Sequence, residues 1–507
     1  MSAVVGMVDF TPGLNLAGQL PILERMTTAL QHRGIGSVGL WARGPAALGQ
    51  RGSLGGAGSQ PYCRTLAGHT YWLVLDGMLT NRDALLADCR GPLEPGAQDD
   101  ADILLAAWCL WGAAMVQRLE GAFALALWDE TVQTLFLARD ALGLRTLYYH
   151  EQPQQLLFAS QPTALLAHPQ VSSRMQAAQA ARLLCPSLRA GSSNFFSDLE
   201  ELPAGCALSF DASGCQMTRY FCLQAHPAVP FEPARWTVPE GVMPIQIQSP
   251  HAQPAWNTTV QGQLDGWALA QRMVDATLCE ELPDVAWTDC YLLEAVRALP
   301  PQVETLALGA EWPLLCSGES AVLPAPYFDF LHKPALLCDY VAQGVAAKLQ
   351  LEQRQRAAAT QLRRDCPLHP TDPAPLQQLR RRRYRLLCQE APLFFQRLER
   401  LTGRNLLPMG WSPDAAQAFY DHSEAFPALS APSPSLPSAV QSAFHGELLR
   451  QAQCITRRAD ARLWGLLDPI RVRDGLKQAQ KSGQSAFVCA LLALHWFLEQ
   501  HHVALEI

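Results

Sequence analysis

The stretch Leu137-Ala138-Arg139-Asp140-Ala141-Leu142-Gly143-Leu144-Arg145-Thr146-Leu147-Tyr148-Tyr149 joins two apolar, strand-like runs through a short loop. Working outward, Thr134-Leu135-Phe136-Leu137-Ala138-Arg139 reads as one arm of a hairpin with Phe123-Ala124-Leu125-Ala126-Leu127-Trp128, turning near Asp129-Glu130. Leu156-Leu157-Phe158-Ala159 repeats the pattern, and Tyr71-Trp72-Leu73-Val74-Leu75 predicts a strand that ends in a turn at Asp76-Gly77. Spaced apolar positions place helices over residues 20–30 and 101–111. A β-rich first part up to about Phe221 with interspersed helices implies sheets packed between or against helices.

The pattern then changes. Pro227, Pro230, Pro233, Pro239, Pro244, Pro250 and Pro254 break any long element, so residues 223–255 read as a linker or a remodelled connection. Beyond it the chain reads as helix-dominated, at 264–278, 291–298, 340–363, 376–390, 438–467 and 486–501, with one strand at Thr305-Leu306-Ala307-Leu308. A Pro/Ser-rich segment, 426–437, reads as an exposed loop, and no internal repeat is present. With 507 residues and 49% hydrophobic composition, the chain is too long for one core and too apolar for disorder. Two domains are expected, 1–222 and 256–507, with 223–255 between them.

A net charge of −7 with no strongly basic half argues against a nucleic-acid binder. No basic leader and no apolar run near the ~20 residues that span a bilayer lead to the expectation of a cytoplasmic protein without membrane contact. The 15 cysteines are scattered with no C-x-x-C pair, so they are expected to be reduced, mostly buried and free of metal or redox chemistry.

The opening stretch is similar to a signature of asparagine synthetases and their class II glutamine amidotransferase domain. The family order continues through Leu30-Gln31-His32-Arg33-Gly34, Ser59-Gln60-Pro61, Leu119-Glu120-Gly121-Ala122-Phe123, Phe158-Ala159-Ser160 and Leu202-Pro203-Ala204-Gly205. The resemblance implies an α+β / α/β two-domain chain. Its N-terminal part would be an αββα sandwich of the N-terminal nucleophile (Ntn) hydrolase type, followed by a helix-rich, truncated synthetase (PP-loop ATPase-like) domain. In the second half, residues 272–293 and 303–315 resemble the family's stretch into its second nucleotide-site loop. Residues 398–411 and 490–500 resemble its C-terminal helical segments.

The family's nucleophile is a cysteine directly after the initiator methionine, whose freed α-amine, with a pKa of about 8, serves as base. Ser2 stands at that position, a hydroxyl in place of a partly ionised thiol. The family's oxyanion segment N-G-E is Asp76-Gly77-Met78 here, so a neutral donor amide becomes an acceptor-only carboxylate where negative charge would develop. Arg51 overlays the family's arginine for the glutamine carboxylate, and Asp100 its aspartate for the α-amine, with Asp102 where a glutamate stands. A surface arginine and a helix-capping acid are equal alternatives for that pair.

The synthetase signature S-G-G-x-D-S, whose backbone N–H groups bind pyrophosphate at a helix N-terminus, does not occur in the sequence. Ser317-Gly318-Glu319-Ser320 and Gly55-Gly56-Ala57-Gly58 read as ordinary turns, and the short interval to Leu306 implies deletion of the first strand, loop and helix of that domain. The family's metal-holding loop becomes Leu308-Gly309-Ala310-Glu311-Trp312-Pro313-Leu314-Leu315, with Glu311 its only acid. Arg380-Arg381-Arg382-Arg383-Tyr384-Arg385 reads as a solvated helix face rather than an acidic-partner site. His32, His150, His422, His501 and His502 show no ligand spacing, and the tryptophans mostly read as core.

These readings lead to the expectation of a catalytically degenerate homologue acting as a binding, scaffolding or regulatory subunit. No catalytic, cofactor-binding or metal residue is assigned and no cofactor is expected. A protein partner or a second copy is expected, and a small ligand in the altered N-terminal pocket fits the same reading. The alternatives are an ATP- and magnesium-dependent amide-bond ligase making asparagine, a lactam or a cyclised peptide, and a Ser2-dependent amidohydrolase.

Overall fold

The computed structural model describes residues 2–33, 36–52, 60–89, 99–185, 188, 194–224, 226, 243–245, 305–308, 337–385, 387–388, 392, 395–396, 399, 405–408, 412–421, 438–482 and 486–507. Two antiparallel six-stranded sheets form the N-terminal half. The first runs in the order Glu200–Glu201, Tyr148–Gln152, Gln155–Ala159, Ala3–Asp9, Ala46–Arg51, Val38–Arg43. The second runs Gly214–Arg219, Cys206–Asp211, Thr134–Arg139, Gly121–Asp129, His69–Leu79, Tyr62–Leu66.

The sheets pack face to face through residues that alternate along their strands, Val4, Val8, Val74, Ala124, Ala126, Trp128, Leu135, Leu137 and Phe158 among them. The opposite faces are covered by helices: Leu20–Thr28 and Ala177–Leu184 on the first sheet, Arg82–Asp88 and Asp100–Trp111 on the second. The result is the expected αββα layering.

The expected turn at Asp76-Gly77 does not exist, because the strand His69–Leu79 runs straight through it, with Asp76 opposite Ala124 and Gly77 opposite Phe123. Gly77 takes φ +119°, and a Cβ there would lie 2.0 Å from the Ala122 carbonyl oxygen, so glycine serves close strand approach rather than a turn.

The second half docks on the helical layer of the first sheet, and one continuous core joins Ala3 and Val5 to Leu491, Phe497 and Val503. Phe497, on the helix Ala486–Gln500, meets Phe195 and Phe196 with ring centroids 5.6 and 5.9 Å apart. The strand Ala504–Glu506 then pairs in parallel with Arg174–Gln176.

The interval read as a linker carries the strand Met243–Ile245, which pairs in parallel with the expected strand Thr305–Leu308. Asn405–Pro408 extends that sheet, so residues 398–411 contribute a strand where a helix was expected. The helix expected over 340–363 is split at Gln350, whose φ of +48° separates Gln343–Leu349 from Leu351–Asp365. The helices Ala374–Arg385 and Ala486–Gln500 match expectation, the helix expected over 438–467 ends at Thr456 with a short 3-10 turn, Arg462–Gly465, after it, and the helices Pro413–Asp421 and Pro469–Ser482 are additional to those expected. Expectations for 264–278, 291–298 and 426–437 lie outside the described residues. No helix among the described residues is long and apolar enough to cross a membrane.

Burial holds the His168 and His501 rings well below their usual pKa, each at about 4. Their stabilising contribution is therefore complete above about pH 6.5 and is lost as pH falls toward 4. Urea midpoints should fall across that window, and His501→Gln should flatten the decline. Phe497→Ala should cost about 3–5 kcal/mol, measured by urea unfolding at neutral pH.

Candidate functional site

The first strand of one sheet and the strand His69–Leu79 of the other bring Ser2 and Asp76 to the same end of the sandwich. The Ser2 hydroxyl donates to Asp76 Oδ1 at 3.2 Å, and the Gly77 N–H donates to Ser2 Oγ at 3.2 Å. Asp76 is fully buried. Its carboxylate also receives Arg33 Nη2 at 3.0 Å and the Ser160 hydroxyl at 2.7 Å. Ser160 is itself fixed by the Val4 N–H, which donates to its Oγ at 2.9 Å.

Sheet register sets Arg51 directly opposite Ala3, one residue from Ser2. Asp100 opens the helix Asp100–Trp111 and accepts the Leu79 N–H at 3.3 Å while pairing with Arg82 at 3.0 Å. Burial pushes its carboxyl above the usual range, opposed by Arg82 and the Leu79 N–H. Asp102 is turned to other partners, Arg64 at 2.8 Å and the Tyr62 hydroxyl. Asp100 thus meets the strand at Leu79, two residues on from Gly77, and Asp102 belongs to a separate cluster.

A buried charge chain continues from Asp76. Arg145, inside the loop that follows Arg139, feels both Asp76 and Asp140 and forms an ion pair with Glu399 of the second half. Desolvation lowers its pKa, and the three carboxylates more than offset that, so the guanidinium stays charged. Asp140 anchors the loop by accepting the Leu142, Leu144 and Arg145 N–H groups.

The sequence of residues 1–221 matches the family described as glutamine amidotransferase domain. Asparagine synthetase [glutamine-hydrolyzing] 3 of Bacillus subtilis (strain 168) is 30% identical over 232 residues, covering 44% of this chain and 37% of that protein. Asparagine synthetase B of Escherichia coli (strain K12) is 29% identical over 171 residues, 33% of this chain and 30% of that one. Residues 1–221 form a glutamine amidotransferase domain similar to that of asparagine synthetases. The chain spans about a third of the length of these two relatives. A solved glutamine phosphoribosylpyrophosphate amidotransferase from B. subtilis, complexed with ADP and GMP, superposes with TM-score 0.34 at 19% identity, covering 43% of this chain and 49% of that one.

Ser2 thus presents a hydroxyl whose proton is held by a carboxylate, and Asp76 presents an acceptor-only group directly before Gly77. Sequence reasoning named Ser2 and Asp76 but missed that Arg33 and Ser160 satisfy Asp76. Both lie in quoted motifs, His32-Arg33 and Ala159-Ser160, where a buried arginine beside a new acid was the available signal.

A cleft of about 710 Å³ lies elsewhere, at the seam between the halves, lined by Gly143, Arg182, Arg219, Glu201, Tyr384 and Cys388 among others. The arginine run borders it but is not a solvated face. Arg380 is fully buried against Asp372 and Asp421, each at 3.1 Å, and Arg383 lies over Phe419 at 5.1 Å.

Asp76→Asn removes the counter-charge of buried Arg33 and should destabilise by about 3–5 kcal/mol, read as a lower urea midpoint. Ser160→Ala leaves Asp76 one donor short and should cost about 1–3 kcal/mol. Wild-type stability in Asp76→Asn would remove the structural role assigned to the carboxylate.

Proposed function

We propose that this chain is a catalytically degenerate asparagine-synthetase homologue that acts as a binding, scaffolding or regulatory subunit, in contact with a protein partner or a second copy of itself. The observation that carries the proposal is the Asp76 carboxylate, buried, ion-paired with Arg33 and hydrogen-bonded by Ser2. Loss of one oxyanion donor alone costs about 10²–10³-fold in kcat, and here a negative charge takes the donor's place.

The same reading covers the second half. The residues present do not fit a magnesium–ATP pair, since the pyrophosphate-binding string is missing and Glu311 is the one acid of the 308–315 loop. Without that pair no carboxylate is adenylated. The seam cleft, with arginine and carboxylate side chains on its walls, supports a binding role, and the proposal places the protein in the cytoplasm without nucleic-acid or membrane contact. It divides the chain into an amidotransferase-like part, 1–222, and a degenerate synthetase-like part, 256–507.

Purified full-length protein given glutamine, aspartate, ATP and magnesium should release neither glutamate nor AMP above a protein-free blank. Native mass spectrometry of the tagged protein recovered from its own host should show a mass above one chain. AMP formation would favour the amide-ligase reading, and acyl hydrolysis abolished by Ser2→Ala the hydrolase reading. A lone, inactive monomer would count against the subunit role.

A further inference from the structure

Cys185 closes the helix Ala177–Leu184 of the amidotransferase domain, and Cys338 opens the short helical turn Cys338–Tyr340 of the second half. Their sulfur atoms lie 2.9 Å apart across 153 residues of chain. That is roughly 1 Å beyond a disulfide bond, which measures about 2.05 Å. The packing around the pair is built rather than accidental. Gln355 Nε2 donates to Cys185 Sγ at 2.9 Å, and the Cys338 thiol points at the Leu184 carbonyl oxygen at 3.8 Å. Tyr340, two residues on, stacks on Phe487 with ring centroids 4.2 Å apart, which fixes the Cys338 turn to the helical block. Cys185 is buried and Cys338 half-buried, so Cys338 is the sulfur a small oxidant reaches first.

We propose that Cys185 and Cys338 are a disulfide-forming pair that staples the amidotransferase domain to the C-terminal helical block. The oxidant is a low-molecular-weight disulfide. The Cys338 thiol gives its proton to solvent, and its thiolate attacks one sulfur of that disulfide, forming a mixed disulfide and expelling one thiolate. Cys185 then loses its proton and attacks the Cys338 sulfur, forming the Cys185–Cys338 bond and expelling the second thiolate. Two protein thiols are oxidised, one small disulfide is reduced to two thiols, and the protons pass through solvent to the leaving thiolates. The Cys338 thiol is held protonated by its hydrogen bond with Cys185, with burial adding to the effect, so the first step is slow at neutral pH and quickens as pH rises.

The staple has a structural consequence at the seam cleft. Gln179 and Arg182, on the helix that ends at Cys185, both line that cleft, so the cross-link fixes one cleft wall to the helical block. A bond closing so long a loop constrains the unfolded chain strongly, and the oxidised protein should melt at a higher temperature than the reduced protein.

The test uses the full chain treated with oxidised glutathione at pH 8.5, then alkylated, digested and peptide-mapped. The expected result is a cross-linked peptide pair ending at Cys185 and Cys338, with a raised melting temperature that returns to its starting value on adding dithiothreitol. Cys338→Ser, checked for an unchanged reduced-state melt, should show neither the cross-link nor the shift, and Cys185→Ala supplies the same control from the other side. Cys185 and Cys338 recovered as separately alkylated or glutathionylated peptides, or bonded to other cysteines, would overturn the proposal. So would a cross-link that forms without changing the melt.

Discussion

Arg145 is the charge on which the arrangement of the two halves depends. It is almost wholly buried, and taking an ion out of water costs several kcal/mol unless partners surround it. Those partners come from three places in the chain: Asp140 in its own loop, Asp76 on the facing sheet and Glu399 in the second half. Asp140 holds the loop backbone so that Arg145 projects inward, and Gln396 adds a hydrogen bond to the Gly143 carbonyl at 2.9 Å. Separating the halves would leave Arg145 without Glu399 in a dry interior. The loop is therefore both the edge of the sandwich and the socket for the rest of the chain.

That coupling explains what the sequence disclosed. Strands such as Gly121–Asp129 and Thr134–Arg139 are buried on both faces, so their apolar runs were legible without any contact information. The Asp76-Gly77 pair was misread because Asp-Gly is a turn signal in isolation. Only the facing Ala122 backbone and the Arg33 guanidinium make it a strand position. The arginine run was misread for a related reason: Asp372 and Asp421, which neutralise Arg380, lie on separate elements, and local charge counting cannot pair them. Pro469–Ser482 escaped notice because only Val472, Gly475, Leu476 and Ala479 are buried along it, a narrow apolar stripe on a polar helix.

The candidate site was legible as a list of changed residues, but not as a compensated structure. A lone carboxylate at an oxyanion position is a defect. A carboxylate that receives an arginine, two hydroxyls and the field of a second arginine is a stable buried ion. The difference matters for what the domain can do. In an acyl-transfer site the donors wait for a charge that appears only in the transition state, whereas here the Arg33, Ser2 and Ser160 donors are already engaged by the Asp76 carboxylate.

The same carboxylate also positions Ser2. Its proton lies toward Asp76 and its oxygen accepts the Gly77 N–H, so the hydroxyl joins the first strand of one sheet to the facing strand of the other. Ser2 is thus a tie between the two sheets. A second tie is formed at Arg145, where a loop charge joins the first half to the second. In both places polar groups are held by fixed partners within the chain, so buried polar networks join sheet to sheet at Ser2 and Asp76 and half to half at Arg145 and Glu399.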